Sequence, residues 1–391
     1  MAVKVMHAVT VPQSLKLMKG QLAYLKRQGY EVGALSSEGD YIKEYEAYED
    51  VKVLTVNMER EISLIQDFKS LVACIRLIRK ERPDIINTGT PKAGLIVTLA
   101  AFICRVPIRI YNVLGLRMET TSGLKRQILL TAEKIAAAAA TDVLSVSSSL
   151  KEQLVELGIA PEEKIRIFGK GSYNGFNLES FKQTEQLKKE IEELRNSYGL
   201  TNKHTVLGYV GRLTKDKGIE ELLESFLQLH EKNSEMRLLV VGEFETGDPV
   251  SSQTYEEIKN NPHIIYINYQ QNPIPFYFLM DVFVFLTKRE GFGNVSLEAS
   301  LAGVPVLAAD VTGAKDTVIP GETGLLVNPT DIKDITEKIA YLVANPELRK
   351  QLGANGKKWG EEHFGNEQIW GEMDSFYQQL LIQKAAAFEM N

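Results

Sequence analysis

Short runs of valine, isoleucine and other apolar residues recur along this chain, and each is followed by a longer stretch whose apolar positions fall at helical spacing. A run too short for a helix and apolar at consecutive positions is the signature of a strand buried on both faces. Such strands occur where a parallel sheet is covered by its own crossover helices. The pattern therefore predicts an α/β fold of repeated βαβ units. In the first half, strands are expected at Val3–Val9, Glu31–Ser36, Val51–Val56, Ile85–Asn87, Ile108–Asn112, Val143–Val146 and Ile165–Phe168, with helices at Gly20–Gln28, Ile65–Glu81 and Ala93–Cys104. A second series follows at Thr205–Val210, Arg237–Val241, Ile264–Ile267, Val282–Leu286, Pro305–Ala309 and Gly324–Val327. Between about Gly169 and Leu200 the rhythm loosens into a Gly-, Ser- and Asn-containing loop and the charged stretch Gln183–Asn196, which reads as an interdomain connection. A helical tail from Pro346 carries Trp359, Phe364, Trp370 and Phe376, expected to pack across the domain junction.

A length of 391 residues accommodates two such domains, each able to bury a core. The first residues, interrupted by Lys4 and His7 and without a basic leader, read as a strand and not as a signal peptide. The most apolar stretch, the 12 residues Ala93–Cys104, is far short of the roughly 20 a spanning helix requires. Cys74 and Cys104 have no metal-ligand or paired-thiol spacing and read as reduced, buried thiols of a cytoplasmic protein. Net charge is −6, unevenly spread: 24 basic against 19 acidic residues in 1–170, and 21 against 32 in 171–391. A basic first half suits an anionic acceptor or membrane surface, while a pI of 5.6 without a basic, aromatic-interleaved helix argues against nucleic acid.

Chemistry concentrates in two segments of the second half. Gly208-Tyr209-Val210-Gly211-Arg212-Leu213-Thr214-Lys215-Asp216-Lys217-Gly218 follows a strand and opens a helix. A strand, a glycine turn and a helix in that order leave free amides and a positive dipole end at the turn. With Arg212 and Lys217 added, the natural ligand is a diphosphate, which takes planar multidentate contact from arginine and point charge from lysine. The alternative is two surface cations on an ordinary loop. Lys288-Arg289-Glu290-Gly291-Phe292-Gly293-Asn294-Val295-Ser296-Leu297-Glu298 follows the strand Val282–Leu286. Here Glu290 stands at a strand's carboxyl edge, where open α/β sheets bind ligands, and Glu298 stands in the next helix. Two such carboxylates bracket a ligand and accept from vicinal hydroxyls, while the amides of Gly293 to Val295 approach phosphate. The alternative is a salt bridge for Glu298 and a loop-end cap for Glu290.

With these residues in place the sequence resembles glycosyltransferase family 4, of the GT-B fold, whose signature is two glutamates separated by seven residues in a Glu-Gly-Phe-Gly setting. The resemblance extends over Gly211 to Gly218, Leu301-Ala302-Gly303-Val304-Pro305-Val306 and Gly321-Glu322-Thr323-Gly324-Leu325-Leu326-Val327. Thr90-Pro91-Lys92-Ala93-Gly94 and Gly171-Ser172-Tyr173-Asn174-Gly175 look like the bacterial branch that builds capsule, exopolysaccharide and lipid-linked oligosaccharides. It implies two Rossmann-like domains with mainly parallel sheets facing a central cleft: residues 1–170 binding acceptor, 171–370 binding the nucleotide sugar, and a helix at 371–391 packing back on the first. It further implies a retaining transfer, without metal or cofactor, of a hexose or N-acetylhexosamine from a nucleoside diphosphate sugar, a UDP-sugar being favoured. Arg212 and Lys217 would hold the diphosphate, Glu290 would contact the sugar and Glu298 the ribose, with Gly211, Gly291, Phe292, Gly293, Asn294 and Val295 completing the donor site. Arg212, Lys217 and Glu290 are then the catalytic candidates.

On the acceptor side the matches are sparser. The loop from Thr10 to Gly20 stands where the family has a glycine-rich turn but has no double glycine, and Leu114 occupies the place of a histidine found in many members. Ser14, Lys19, Gly20, Lys92, Arg117 and Glu119 are the acceptor-binding candidates. The acceptor expected is a saccharide or a polyprenyl-pyrophosphate-linked saccharide, reached by peripheral contact with the inner face of the bacterial cytoplasmic membrane. Arg117, Lys125 and Arg126 among Leu124, Ile128, Leu129 and Leu130 would make that contact, though an amphipathic core helix explains the same pattern. Two other functions compete: a sugar-nucleotide epimerase of the same fold, and a non-catalytic donor-binding subunit.

Overall fold

The computed structural model describes residues 2–59 and 63–389. The chain forms two compact units, Met1–Phe176 with Asn366–Asn391, and Asn177–Gly365.

The first unit is built on a seven-stranded parallel sheet of β1 (Lys4–Ala8), β2 (Glu31–Ser36), β3 (Lys52–Thr55), β4 (Ile85–Thr88), β5 (Ile108–Val113), β6 (Asp142–Ser145) and β7 (Ile165–Arg166), in the order β3-β2-β1-β4-β5-β6-β7. Its central strands β4 and β5 are buried at every position but Arg109, polar Asn87, Thr88 and Asn112 included. The second unit carries β8 (Thr205–Val210), β9 (Met236–Val241), β10 (Ile264–Ile267), β11 (Val282–Phe285), β12 (Val306–Ala309) and β13 (Gly324–Val327), all parallel, in the order β10-β9-β8-β11-β12-β13. The order runs outward in one direction from β8 and in the other from β11. Loops leaving the carboxyl ends of those two neighbours diverge to opposite faces, and the gap between them is where such sheets take a ligand.

The chain crosses between units at two places that differ from the sequence reading. The first crossing is after Phe176, not after 170, and the charged stretch expected to connect the domains is instead a helix, Glu185–Ser197, belonging to the second unit. Thr184 caps it, its Oγ1 accepting from the Leu187 amide at 3.2 Å, and Ile191 and Leu194 pack against the core around Leu200, Phe276 and Leu279. Six glutamates and lysines along the helix hid the spacing of these apolar positions. The second crossing is after Gly365, so the final helix begins at Asn366 and not at 371. Residues 390 and 391 of the expected tail lie outside the described residues.

The four tail aromatics consequently divide between the units. Trp359 and Phe364 pack edge to face at 4.8 Å within the second unit, and Phe364 also meets Phe292. Trp370 and Phe376 pack within the first, where Met373, Phe376, Tyr377 and Leu380 join a core that includes Val5, Ile85 and Ile110. Polar contacts hold this returning helix: Trp370 Nε1 donates to Asn174 Oδ1 at 2.7 Å, and Tyr30 OH donates to Asp374 at 2.7 Å. Tyr377 reaches deepest, its hydroxyl accepting from Asn87 Nδ2 at 2.5 Å and lying 3.0 Å from His7 Nε2. Burial drives the His7 pKa down to about 3, so it is neutral in this network.

Candidate functional site

The two motif segments meet at the carboxyl ends of β8 and β11. Their contact depends on Gly218, at φ +72°, where an added Cβ would stand 2.3 Å from the Leu286 carbonyl oxygen. Only glycine lets the loop 211–218 close onto the end of β11. That approach delivers Lys217, whose Nζ lies 2.6 Å from Glu290 Oε2 and 3.3 Å from Thr287 Oγ1. Two residues 73 positions apart form a part-buried ion pair, with side chains 15% and 25% exposed.

The other sequence candidates take separate partners. Arg212 stays on the same loop, but its Nη1 binds Glu245 Oε2 at 2.8 Å. Burial disfavours its positive charge; the Glu245 hydrogen bond and the nearby Asp216 and Glu290 carboxylates more than offset that and raise its pKa. Glu298, in the helix Asn294–Leu301, accepts from Tyr277 OH at 2.7 Å. The residue is half-buried, and burial pushes its pKa up to about 7 against the opposing Tyr277 bond.

Glycines shape the turn between the two glutamates. A Cβ on Gly293 would stand 2.4 Å from the Phe285 ring, and one on Gly313 would meet the Glu290 and Gly291 carbonyl oxygens at 2.6 and 2.5 Å. The backbone from Gly291 to Gly293 thus lies flat between β11 and the loop after β12, with Phe292 turned into the core against Phe364. Of the amides expected to face phosphate, that of Asn294 donates to the Phe292 carbonyl at 2.9 Å. Val295 is half-buried on the first turn of the helix. Gly211, at φ +152°, is backed by Gly242 so closely that a Cβ there would fall 1.8 Å from the Gly211 oxygen.

Residues that the sequence reading did not assign surround the pair. Asp216 binds Arg289 at 3.2 Å and Thr214 at 2.6 Å; burial raises its pKa, but Thr214, Lys217, Arg289 and Arg212 together hold it below the ordinary value. Asp248 Oδ2 accepts from the Asp216 amide at 2.8 Å and steadies the loop from β9. Asp216 and Arg289 were within the quoted motifs, whereas Tyr277, Glu245 and Asp248 had no local signal because they arrive from other segments.

In the first unit the acceptor candidates follow the carboxyl ends of three adjacent strands: Ser14, Lys19 and Gly20 after β1, Lys92 after β4, and Arg117 and Glu119 after β5. Several have structural work. Gly20, at φ +85° against the Trp370 ring, donates its amide to Glu49 Oε1 at 2.5 Å. Lys19 Nζ lies 4.4 Å from the Tyr48 ring centroid, and Lys92 pairs with Asp67 at 2.6 Å. Ser14 is half-buried on the 3₁₀ turn Pro12–Met18; Arg117 is exposed and Glu119 half-buried on the turn Arg117–Thr120; Leu114 is half-buried beside Gly89. Beside Lys92, Thr90 holds φ +72°, a costly conformation for a β-branched residue, and bonds Thr10 through both hydroxyls at 2.7 Å. Among the described residues no group of three or more His, Cys, Asp or Glu side chains is arranged to hold a metal ion.

Comparison with known proteins agrees with this architecture. The family Glycosyl transferase 4-like domain matches residues 18–171, and Glycosyl transferases group 1 matches residues 190–359. The capsular polysaccharide biosynthesis glycosyltransferase CapM of Staphylococcus aureus is 44% identical over 378 residues, 97% of either chain. The Escherichia coli UDP-Gal:α-D-GlcNAc-diphosphoundecaprenol α-1,3-galactosyltransferase is 24% identical over 84% of this chain and 85% of its own. HepE from Anabaena, solved in complex with UDP and glucose, superposes with a TM-score of 0.79 at 20% identity, covering 96% of this chain and all of that one, and shares its GT-B fold. With both family signatures in register on the two Rossmann-like sheets, and a relative this similar over nearly its whole length, the chain belongs to the glycosyltransferases that join a 4-like domain to a group 1 domain.

Proposed function

We propose that the protein moves a hexose or N-acetylhexosamine from a nucleoside diphosphate sugar, favouring UDP, to a saccharide or lipid-linked saccharide in cell-surface polysaccharide synthesis, with retention at the anomeric carbon. The observation that carries this reading is the Lys217–Glu290 pair at the β8/β11 edge with Arg212 on the same loop. It presents cations for a diphosphate and a carboxylate for sugar hydroxyls side by side. The bond from the anomeric carbon to the diphosphate oxygen breaks while the acceptor hydroxyl oxygen bonds the same face, and its proton passes to the departing phosphate oxygen. Negative charge grows on that phosphate, where fixed cations act most strongly on rate. Lys217 and Arg212 are released from Glu290 and Glu245 to meet it. Glu290 orients the sugar and forms no covalent intermediate, and Glu298 receives the ribose. Metal ions take no part, the phosphate charge being met by these side chains and backbone amides.

The activity for which the E. coli relative is named supports UDP and an undecaprenyl diphosphate-linked acceptor, and that of the S. aureus relative supports capsule synthesis. A lipid-linked acceptor goes with a cytoplasmic enzyme making peripheral contact with the inner face of the membrane. The test is thermal stabilisation by UDP, GDP, ADP and dTDP, followed by nucleotide release from the matching sugar nucleotides in the presence of EDTA. Stabilisation by UDP alone, lost in Arg212→Ala, and EDTA-resistant release of UDP support the reading. Stabilisation without release favours a non-catalytic donor-binding subunit, and conversion of the sugar without transfer favours an epimerase.

A further inference from the structure

The two loops that meet at the β8/β11 edge are tied by a second ion pair, one residue before the first. Asp216 precedes Lys217 as Arg289 precedes Glu290, and Arg289 Nη2 lies 3.2 Å from Asp216 Oδ2. Successive cross-loop pairs therefore have opposite polarity, acid on base at 216 and 289 and base on acid at 217 and 290. A slip of one residue in one direction sets Lys217 against Arg289; in the other it sets Lys215 against Arg289 and Asp216 against Glu290. Like charge disfavours both slipped registers, so the alternation selects the register in which Lys217 faces Glu290.

The surroundings of Asp216 hold that register. Its carbonyl accepts from the Lys288 amide at 2.7 Å, its own amide donates to Asp248 Oδ2 at 2.8 Å, and its Oδ1 accepts from Thr214 Oγ1 at 2.6 Å. On the facing loop the Arg289 carbonyl accepts from Thr287 Oγ1 at 2.8 Å. Burial opposes the charge of Asp216, but the Thr214 hydrogen bond and the cations Lys217, Arg289 and Arg212 hold its carboxyl below the ordinary value, so the pair with Arg289 stays charged at neutral pH. The two pairs have different fates in the transfer proposed above. Lys217 and Glu290 part to take the diphosphate and the sugar, and their contact then no longer aligns the loops. The Asp216 carboxylate cancels the pull of Arg289 on a diphosphate and keeps the guanidinium for the loops. We propose that Arg289, held by Asp216, is a positioning residue: it keeps the two loops in register while the Lys217–Glu290 pair is open, and it acts on transfer through those two side chains without touching the donor. The inference rests on the transfer reading, but the alignment it describes is measurable without a donor.

Two measurements on the full chain separate the inference from that reading. The first needs no nucleotide and compares the urea unfolding midpoints of Lys217→Gln, Glu290→Gln and the double variant. Because the two side chains share one contact, the joint shift should be smaller than the sum of the single shifts. In an Arg289→Gln background the shifts should add. No coupling in the wild-type background, or coupling of unchanged size without Arg289, would overturn the inference. The second is steady-state release of UDP from UDP-sugars, read beside thermal stabilisation by UDP. In Asp216→Asn and in Arg289→Gln kcat should fall by about tenfold or more, as for misplaced reacting groups, with KM within about threefold of wild type. Asp216→Asn/Arg289→Gln should be no slower than the worse single variant, and Arg289→Lys should recover part of the loss by keeping the charge. A loss carried by KM and by weaker UDP stabilisation in Arg289→Gln alone would make Arg289 a donor contact and overturn the inference, as would single losses that multiply in the double variant. Release of no nucleotide by the wild type would sink the transfer reading, and the unfolding cycle would still decide the alignment.

Discussion

Replacing Lys217 by glutamine removes the cation at the centre of the proposed donor site while keeping most of its volume. Two effects follow, and the geometry separates them. In the folded chain Glu290 loses a partner at 2.6 Å in a part-buried setting. The cost lies between the small value of an exposed pair and that of a fully buried one, about 1–2 kcal/mol, which should lower the melting temperature by a few degrees. In the proposed reaction, one fixed donor to the departing phosphate disappears. Losses of this kind amount to about 3–4 kcal/mol, or a 10²–10³-fold fall in kcat. In the proposed site Arg212 still holds the ground-state diphosphate, so KM for the sugar nucleotide should rise only a few-fold. The assay is steady-state release of nucleoside diphosphate with saturating acceptor, read beside a melting curve. A KM effect equal to the whole loss with kcat unchanged would show that Lys217 only binds donor. Activity within threefold of wild type would refute its place in the site.

Three further outcomes follow from the packing. Glu133 has a pKa raised by burial from 4.5 to about 7, opposed by its bond from Tyr111, so the native state keeps a proton that the unfolded chain has lost between these values. Stability from this group should therefore fall by roughly 3 kcal/mol as pH rises from 4.5 to 7; Glu133→Gln should flatten that slope and raise the melting temperature at pH 8, and an unchanged slope would refute the assignment. Gly218→Ala adds a Cβ 2.3 Å from the Leu286 oxygen at φ +72°; it should cost more than about 2 kcal/mol in urea unfolding and abolish transfer by moving Lys217 from Glu290. Tyr377→Phe leaves Asn87 Nδ2 and His7 Nε2 without their shared hydroxyl; calorimetry should show a loss of about 1–3 kcal/mol with UDP stabilisation retained, since the proposed donor residues are in the second unit.

The strands of both sheets were legible from local sequence, since burial on two faces demands consecutive apolar residues wherever the strand is placed. The Gly211–Gly218 and Glu290–Glu298 motifs were legible because turns and helix starts impose their requirements on neighbouring positions. The helix Glu185–Ser197 was not, because Ile191 and Leu194 supply a narrow apolar stripe amid charges and the core they cover comes from other elements. The return of the 371–391 helix to the first unit was expected from the family resemblance, but local sequence showed neither that Trp370 goes with it nor the partners Asn174, His7 and Asn87, which lie 196 to 370 residues away. The same holds at the site. Sequence alone determined that Arg212, Lys217, Glu290 and Glu298 are present on ligand-type loops. Only the tertiary structure decided that Lys217 faces Glu290, Arg212 faces Glu245 and Glu298 faces Tyr277, because a parallel sheet brings strand ends together through crossovers and their pairing is set by the order of strands across the sheet, not along the chain.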